Sequence, residues 1–152
     1  MLSIATIGYE GATIASFQEA LRDAGIDLLV DVRALASSRR PGFAKTRLAA
    51  NAKEAGAEYL HLRALGTPSD GRAAARAGRH EEMHRIFRGQ LATPEAQAEL
   101  ALVADLVRQG RHVCLLCFEA DPAHCHRSIV AAALGAMLPA TIVNLAPGVD
   151  DA

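Results

Sequence analysis

The chain has 152 residues, of which 51% are hydrophobic and only 4% aromatic, with no Trp, so a single α/β domain over residues 1–152 is expected, its core built from Ala, Leu, Val and Ile packed between layers. No apolar stretch approaches bilayer length, the first residues lack a basic region ahead of a long apolar run, and three cysteines form no regular framework, which excludes a membrane protein, a secretory leader and a disulfide-stapled scaffold and predicts a soluble, cytoplasmic chain with reduced thiols and no membrane partner. The net charge of −1 hides an uneven distribution, because residues 33–88 carry 12 of the 16 Lys and Arg and only 5 of the 17 Asp and Glu; this middle third either attracts anions or is a solvated Arg-rich face.

In chain order, Ser3-Ile-Ala-Thr-Ile7 reads as a buried first strand, ended by the loop Gly8-Tyr-Glu-Gly11. A helix follows. Ser16 and Glu19 have capping-box spacing, Thr13 is a rival N-cap, Phe17, Ala20, Leu21 and Ala24 supply the apolar stripe, and Gly25 ends it. Residues 28–32 form a second strand, with Arg33 at its end and a loop through Ser37-Ser-Arg-Arg-Pro-Gly-Phe43 beyond. An Ala-rich helix over 45–55 and a strand over 58–62 come next.

Residues 67–93 are expected to be a helical or mobile insertion. The stretch 69–79 lacks an apolar period and reads as mobile or lid-like, while 80–91 reads as a helix. Thr93 and Pro94 make an N-cap and N1 pair for a helix running to Gly110. Residues 112–116 are the fourth strand, 128–137 a helix and 141–145 the fifth strand. Strands alternating with helices imply right-handed crossovers and a mostly parallel five-stranded sheet, covered on both faces in a Rossmann-like three-layer α/β/α sandwich. A spatial order of 3-2-1-4-5 is expected, which would face the Gly8–Gly11 turn toward the loop after strand four and bring Tyr9, Glu10 and Cys117 together.

Ligands of open parallel sheets bind beyond the carboxyl ends of the strands. The segments there hold most of the reactive residues, and the densest is Cys117-Phe-Glu-Ala-Asp-Pro-Ala-His-Cys-His-Arg127. Cys125, His126, Arg127 and Ser128 are expected to open a helix whose free N–H groups attract an anion or stabilise a thiolate. This predicts an anion site, for a phosphate-bearing ligand, with Cys117 or Cys125 as nucleophile or redox group. A tyrosine-phosphatase-type loop is disfavoured, because such a loop places its Arg six residues after the nucleophile, whereas Arg127 lies ten after Cys117 and two after Cys125. Cys114, on the strand, reads as a small core hydrophobe.

Arg33, Arg39 and Arg40 either clamp an anionic ligand by bidentate bonds or pair with Asp31, Glu10 or Glu119 to hold the loops. Tyr9, Glu10, His61 and Glu119 lie in the same edge segments and complete the candidate binding set. A metal held by Cys117, Cys125 and His126, with Glu119, His124 or His61, is a further reading, although the spacing matches no standard zinc motif. His80-Glu-Glu-Met-His84 matches HExxH, but a zinc protease needs a third ligand and another architecture. No dinucleotide GxGxxG is present, so no NAD is inferred, and no cofactor is assigned. Nucleic acid is a secondary partner, since the aromatics needed for stacking are scattered.

Taken together, Thr6-Ile-Gly-Tyr-Glu, Leu29-Val-Asp-Val-Arg33, Ser38-Arg-Arg-Pro-Gly-Phe43, Tyr59-Leu-His-Leu62, Leu65-Gly and Leu115-Leu-Cys-Phe-Glu with Cys125-His-Arg-Ser128 resemble the family called domain of unknown function 488 over nearly the whole chain. The resemblance implies a compact α/β domain with the Arg loop and the Cys-His-Arg segment as signatures, and it supplies no reaction, substrate or cofactor. The leading expectation is an anion-binding protein that uses thiol chemistry at the carboxyl edge; the alternatives are a non-catalytic module for nucleic acid or a phosphorylated partner, and a Cys/His metal-binding protein.

Overall fold

The computed structural model describes residues 2–148; Met1 and residues 149–152, the ends of the expected domain, lie outside the described residues. The elements run β1 (Leu2–Gly8), α1 (Ile14–Asp23), β2 (Leu28–Asp31), α2 (Lys45–Glu54), β3 (Glu58–His61), α3 (Ser69–Arg76), α4 (His80–Leu91), α5 (Pro94–Arg108), β4 (Val113–Cys117), α6 (Arg127–Met137) and β5 (Ala140–Leu145). Short 3-10 turns cover Arg63–Leu65 and Pro122–His124.

Two N-caps show how local chemistry starts helices. Thr93 accepts from the Ala96 N–H with Pro94 at N1, as its spacing predicts. At α1 the cap is Thr13 rather than Ser16: the Thr13 hydroxyl accepts from the Ser16 N–H at 2.9 Å, and the Ser16 hydroxyl accepts from the Thr13 N–H at 3.0 Å. A Ser at N3 therefore closes the reciprocal box normally closed by Glu or Gln. The aperiodic stretch expected to be mobile contains a helix, α3, which buries Gly71 and Ala74. Side chains this small let α3 pack closely without an apolar stripe long enough to show in the sequence.

The five strands are all parallel in the order 3-2-4-1-5. This corrects the expected 3-2-1-4-5: β4 lies between β2 and β1 and pairs with both, Val30 opposite Leu115 on one side and Ile7 opposite Leu116 on the other. The physical reason is burial. Val113-Cys-Leu-Leu-Cys117 is apolar throughout and buried at every position, which suits the centre of a parallel sheet. β3 and β5 are only partly buried along their length and form the edges.

Right-handed crossovers decide which face each helix covers. The steps from β1 to β2 and from β2 to β3 run one way across the sheet and put α1 and α2 on one face. The steps from β3 to β4 and from β4 to β5 run the other way and put α3 to α6 on the opposite face. Each face has its own core: Ile7, Phe17, Leu21, Leu29, Leu48 and Leu116 belong to the first, and Val30, Met83, Phe87, Val103, Leu115 and Val130 to the second. Among the described residues no helix is long and apolar enough to cross a membrane. The chain leaves β1 and β2 toward one face and β4 toward the other, so the sheet opens a crevice at the carboxyl end of β4.

Candidate functional site at the carboxyl edge

At the end of β2, Asp31 is fully buried and accepts from Arg33 Nε at 2.8 Å, Arg33 Nη2 at 2.7 Å and the Arg33 backbone N–H at 3.1 Å. The Tyr59 hydroxyl donates to the second Asp31 oxygen. Arg33 Nη1 donates to the Phe43 carbonyl at 2.8 Å and to the Tyr9 hydroxyl at 3.2 Å. Burial alone disfavours the guanidinium charge, but the Asp31 carboxylate outweighs it and holds the Arg33 pKa above its ordinary value. Burial, then the bond to Asp31, push the Tyr59 phenol up. Tyr9 is held by stacking on Phe43 at 4.6 Å and by the edge of Phe118 at 5.4 Å. Asp31, Arg33, Tyr9 and Tyr59 thus form a closed network.

At the end of β4 the chain makes a loop that returns beside β1. A side chain at Gly8 would place Cβ 1.8 Å from the Glu119 carbonyl oxygen, so glycine here allows a close approach between backbones rather than a turn. The Glu10 N–H donates to the Phe118 carbonyl at 2.8 Å, and the Ala120 N–H donates to the Glu10 carboxylate at 3.1 Å. Tyr9, Glu10 and Cys117 are neighbours as expected, since Gly8 pairs with Cys117 whichever strand order holds. The Asp121 carboxylate then caps the 3-10 turn by accepting from Ala123 N–H, and the chain enters α6 through Cys125 and His126.

Cys117 and Cys125 are joined by a disulfide, and Cys114 is the free, buried cysteine. This corrects the expectation that all three thiols are reduced: β4 ends and α6 begins at the same spot, which brings two cysteines eight residues apart into bonding distance. Burial pushes the Cys114 thiol far up, so it stays protonated and acts as a small core side chain.

The groups around the sulfur pair are buried and polar. Arg127 is fully buried; its Nη1 lies 3.1 Å from Cys117 Sγ and also donates to the Glu119 carbonyl, and Nη2 donates to the Ala120 carbonyl at 3.1 Å. Its Nε has no hydrogen-bond partner among the described residues. Burial pulls its pKa below the ordinary value, opposed by the charges of Glu119 and Asp121 among others. The Arg127 backbone N–H points at Cys125 Sγ, 3.5 Å away. His126 is buried, and desolvation lowers its pKa to about 4. Its Nε2 lies 2.6 Å from the Val32 carbonyl, which can only accept, so Nε2 carries the proton. Nδ1 is then an unprotonated lone pair, 3.7 Å from Cys125 Sγ.

These two regions share a cavity of about 430 Å³ lined by all four loops at this edge: Tyr9 after β1, Arg33 to Arg39 after β2, Thr67, Arg72, Arg76 and Met83 after β3, and Cys117, Glu119, Cys125 and His126 after β4. Four arginines, Arg33, Arg39, Arg72 and Arg76, and one carboxylate, Glu119, are among its lining residues. Burial and the Glu10 charge push the Glu119 carboxyl up, partly offset by its own backbone, Arg127 and His80. A side chain at Gly66 would meet the Ala34 backbone at 2.1 Å, so this glycine lets the loop carrying Thr67 close against the Arg33 loop.

Of the residues singled out from the sequence, Tyr9, Arg33, Arg39, Cys117, Glu119, Cys125 and His126 line the cavity, and Arg127 stands directly behind Cys117. Glu10, Arg40, His61 and Ser128 do not line it. Glu10 fastens the 118–120 loop; Arg40 Nε donates to the Ala12 carbonyl; His61 Nε2 sits 2.7 Å from the Arg33 carbonyl; and the Ser128 hydroxyl donates to the Cys125 carbonyl, its side chain bordering a separate shallow groove with His84 and Arg88. Arg72 and Arg76 are additions. Their i, i+4 spacing puts both on one side of α3, a signal available in Arg72-Ala-Ala-Ala-Arg76 once that stretch is taken as a helix.

His80 and His84 do lie on one helix, but they meet no third ligand among the described residues. His80 stacks on the His124 ring at 4.1 Å and His84 borders the shallow groove. The one group of three potential metal ligands found among the described residues is instead Cys117, Glu119 and Cys125, whose ligand atoms lie within 4.8 Å of one another.

The family model for Domain of unknown function DUF488 matches residues 13–134, which include α1 and most of α6. No curated protein and no solved structure matches the chain.

Proposed function

We propose that this chain, which belongs to the DUF488 family, binds a small phosphate-bearing ligand in the carboxyl-edge cavity and performs thiol–disulfide chemistry there through Cys117 and Cys125. The observation that carries the reading is the placement of a sulfur pair against a buried guanidinium, in a cavity that Arg39, Arg72 and Arg76 also line. Guanidinium groups bind phosphate in a forked geometry, and a concave wall strengthens the attraction by excluding water.

The redox step follows from the contacts. A small thiolate entering the cavity attacks Cys125 Sγ, forms a mixed disulfide and releases Cys117 as a thiolate. The new negative charge develops 3.1 Å from Arg127 Nη1, which lowers the leaving-group pKa and favours departure of this sulfur. A second thiolate then resolves the mixed disulfide at the external sulfur, leaving both protein sulfurs reduced and the external thiols joined, a transfer of two electrons. His126 stays neutral near neutral pH, and its Nδ1 lone pair, 3.7 Å from Cys125 Sγ, is placed to accept a hydrogen bond from the reduced thiol.

Equilibration of the chain in buffers of reduced and oxidised glutathione, with the thiols counted at each ratio, tests the redox half. A reversible two-electron couple in the folded protein supports it, and a pair that changes state only on unfolding refutes it. A thermal-shift screen of inorganic phosphate and sugar phosphates tests the anion half, since a ligand that binds the native state raises its stability. The shift is expected to vanish in the Arg72→Ala, Arg76→Ala double variant. Salt-sensitive binding of nucleic acid that survives Cys117→Ala and Cys125→Ala but not Arg39→Ala with Arg40→Ala assigns the surface to a binding module instead.

A further inference from the structure

We infer that the reduced form of the chain is a metal site: Cys117, Glu119 and Cys125, with His126 Nδ1 beside them, bind a divalent cation of the zinc class. This goes beyond the anion-binding reading, which concerns the cavity arginines and the disulfide form.

In a tetrahedral zinc centre, a sulfur ligand lies about 3.6 Å from an adjacent oxygen or nitrogen ligand, as bond lengths near 2.3 and 2.1 Å require. Glu119 Oε2 lies 3.7 Å from Cys117 Sγ, and His126 Nδ1 lies 3.7 Å from Cys125 Sγ. Two edges of the tetrahedron are therefore already at coordination distance. The sulfurs are bonded to each other, and the ligand atoms of Cys117, Glu119 and Cys125 all lie within 4.8 Å of one another, a group that His126 borders through Cys125 alone. Reduction by a thiol such as dithiothreitol adds two electrons and two protons to that bond and oxidises the reductant to its disulfide. The freed sulfurs then separate and take a cation between them with loss of two thiol protons.

Two further observations point to a ligand. His126 is buried, and its Nε2–H is committed to the Val32 carbonyl. Metal-bound histidines are typically oriented this way, with one nitrogen donating to a carbonyl and the other presenting its lone pair. The charges also balance: two thiolates and one carboxylate exceed a divalent cation by one negative charge, and the Arg127 guanidinium beside Cys117 supplies the compensating positive charge. A mixed set of two sulfurs, one carboxylate oxygen and one imidazole nitrogen suits zinc rather than magnesium or calcium, which prefer oxygen alone.

The test is an anaerobic titration of the dithiothreitol-reduced, desalted chain with Co2+, followed by Zn2+. Stoichiometric binding with a thiolate-to-cobalt charge-transfer band in the near ultraviolet, bleached by Zn2+, is expected. The disulfide form is expected to show no band, Cys125→Ala to lose it, and Cys114→Ala to keep it. Glu119→Gln, which keeps both thiols, is expected to weaken Co2+ binding by roughly ten-fold or more, at least the loss seen for outer-sphere partners. Circular dichroism of each sample shows that it is folded. A reduced wild-type chain with no charge-transfer band, or an undiminished band in Cys125→Ala or undiminished affinity in Glu119→Gln, overturns the inference. The phosphate-induced thermal shift is measured on the metal-free disulfide form, so its success or failure is scored independently.

Discussion

Two arginines are buried beyond neighbouring strand ends, and the chain treats them differently. Arg33, beyond β2, is forked onto Asp31 and further bound by Tyr9 and the Phe43 carbonyl. Arg127, beyond β4, has no carboxylate on it: it touches a sulfur and two backbone carbonyls, and its Nε is left over. A buried charge is tolerated when it is paired and fully hydrogen-bonded, and an incompletely satisfied one carries a free-energy cost. The β2 end is a brace that positions Tyr9 and the Arg loop, whereas the β4 end holds a buried guanidinium with no carboxylate on it, beside the sulfur pair that the proposed thiol chemistry uses.

The largest test of this contrast is Asp31→Ala, which leaves the Arg33 guanidinium buried and unpaired. It is expected to destabilise the fold by about 3–5 kcal/mol in a urea titration. Next comes the pH dependence from His126. Its folded pKa is about 4, below the value near 6.5 in an unfolded chain. Above pH 6.5 both states are neutral and no penalty exists; as pH falls the unfolded state takes up the proton first, so stability is lost between pH 6.5 and 4, by roughly 3 kcal/mol in all. His126→Gln is expected to flatten that part of the curve, and an unchanged slope would show that His126 is not the group responsible.

Arg127→Met comes third. It removes a charge that had no carboxylate partner, so the expected loss is only about 1–3 kcal/mol, from the carbonyls left without donors. A loss equal to that of Asp31→Ala would erase the distinction between the two regions. The same variant is expected to raise the pKa of the reduced Cys117 thiol, read from the pH dependence of its alkylation rate. The smallest effect belongs to the cavity arginines, where Arg76→Ala alone is expected to cost about 1 kcal/mol of phosphate affinity and to leave stability unchanged, because Arg76 is exposed. Calorimetric titration with inorganic phosphate, repeated at two salt concentrations, measures it.

The sequence made most elements legible because their signals are local. Thr93-Pro94 opens α5, Gly8 to Gly11 ends β1, and continuous apolar runs mark β2 and β4 as strands buried on both faces. Ser16 was harder, since two hydroxyl residues three apart can each cap, and only the backbone angles of Thr13 decide between them. α3 was hidden for the opposite reason: Gly71 and Ala74 pack by being small, which leaves no apolar period to detect. The strand order is not legible in the sequence because the crossover lengths are compatible with either arrangement. The uninterrupted burial of β4, against the partly exposed start of β1, matches β4 rather than β1 at the centre.

By itself the sequence determined the α/β class, the strands and the stretch of chain in which sulfur, imidazole and guanidinium groups gather, since periodicity, caps and composition act over a few residues. Tertiary structure alone decided which of those groups meet. The pairing of Cys117 with Cys125, the contact of Arg127 with Cys117 Sγ, the bond from Arg33 to the Tyr9 hydroxyl, and the arrival of Arg72 and Arg76 at the same cavity depend on which strand lies at the centre of the sheet and how loops from four strands close over its edge. Those are long-range outcomes of packing and backbone approach, and residue spacing does not encode them.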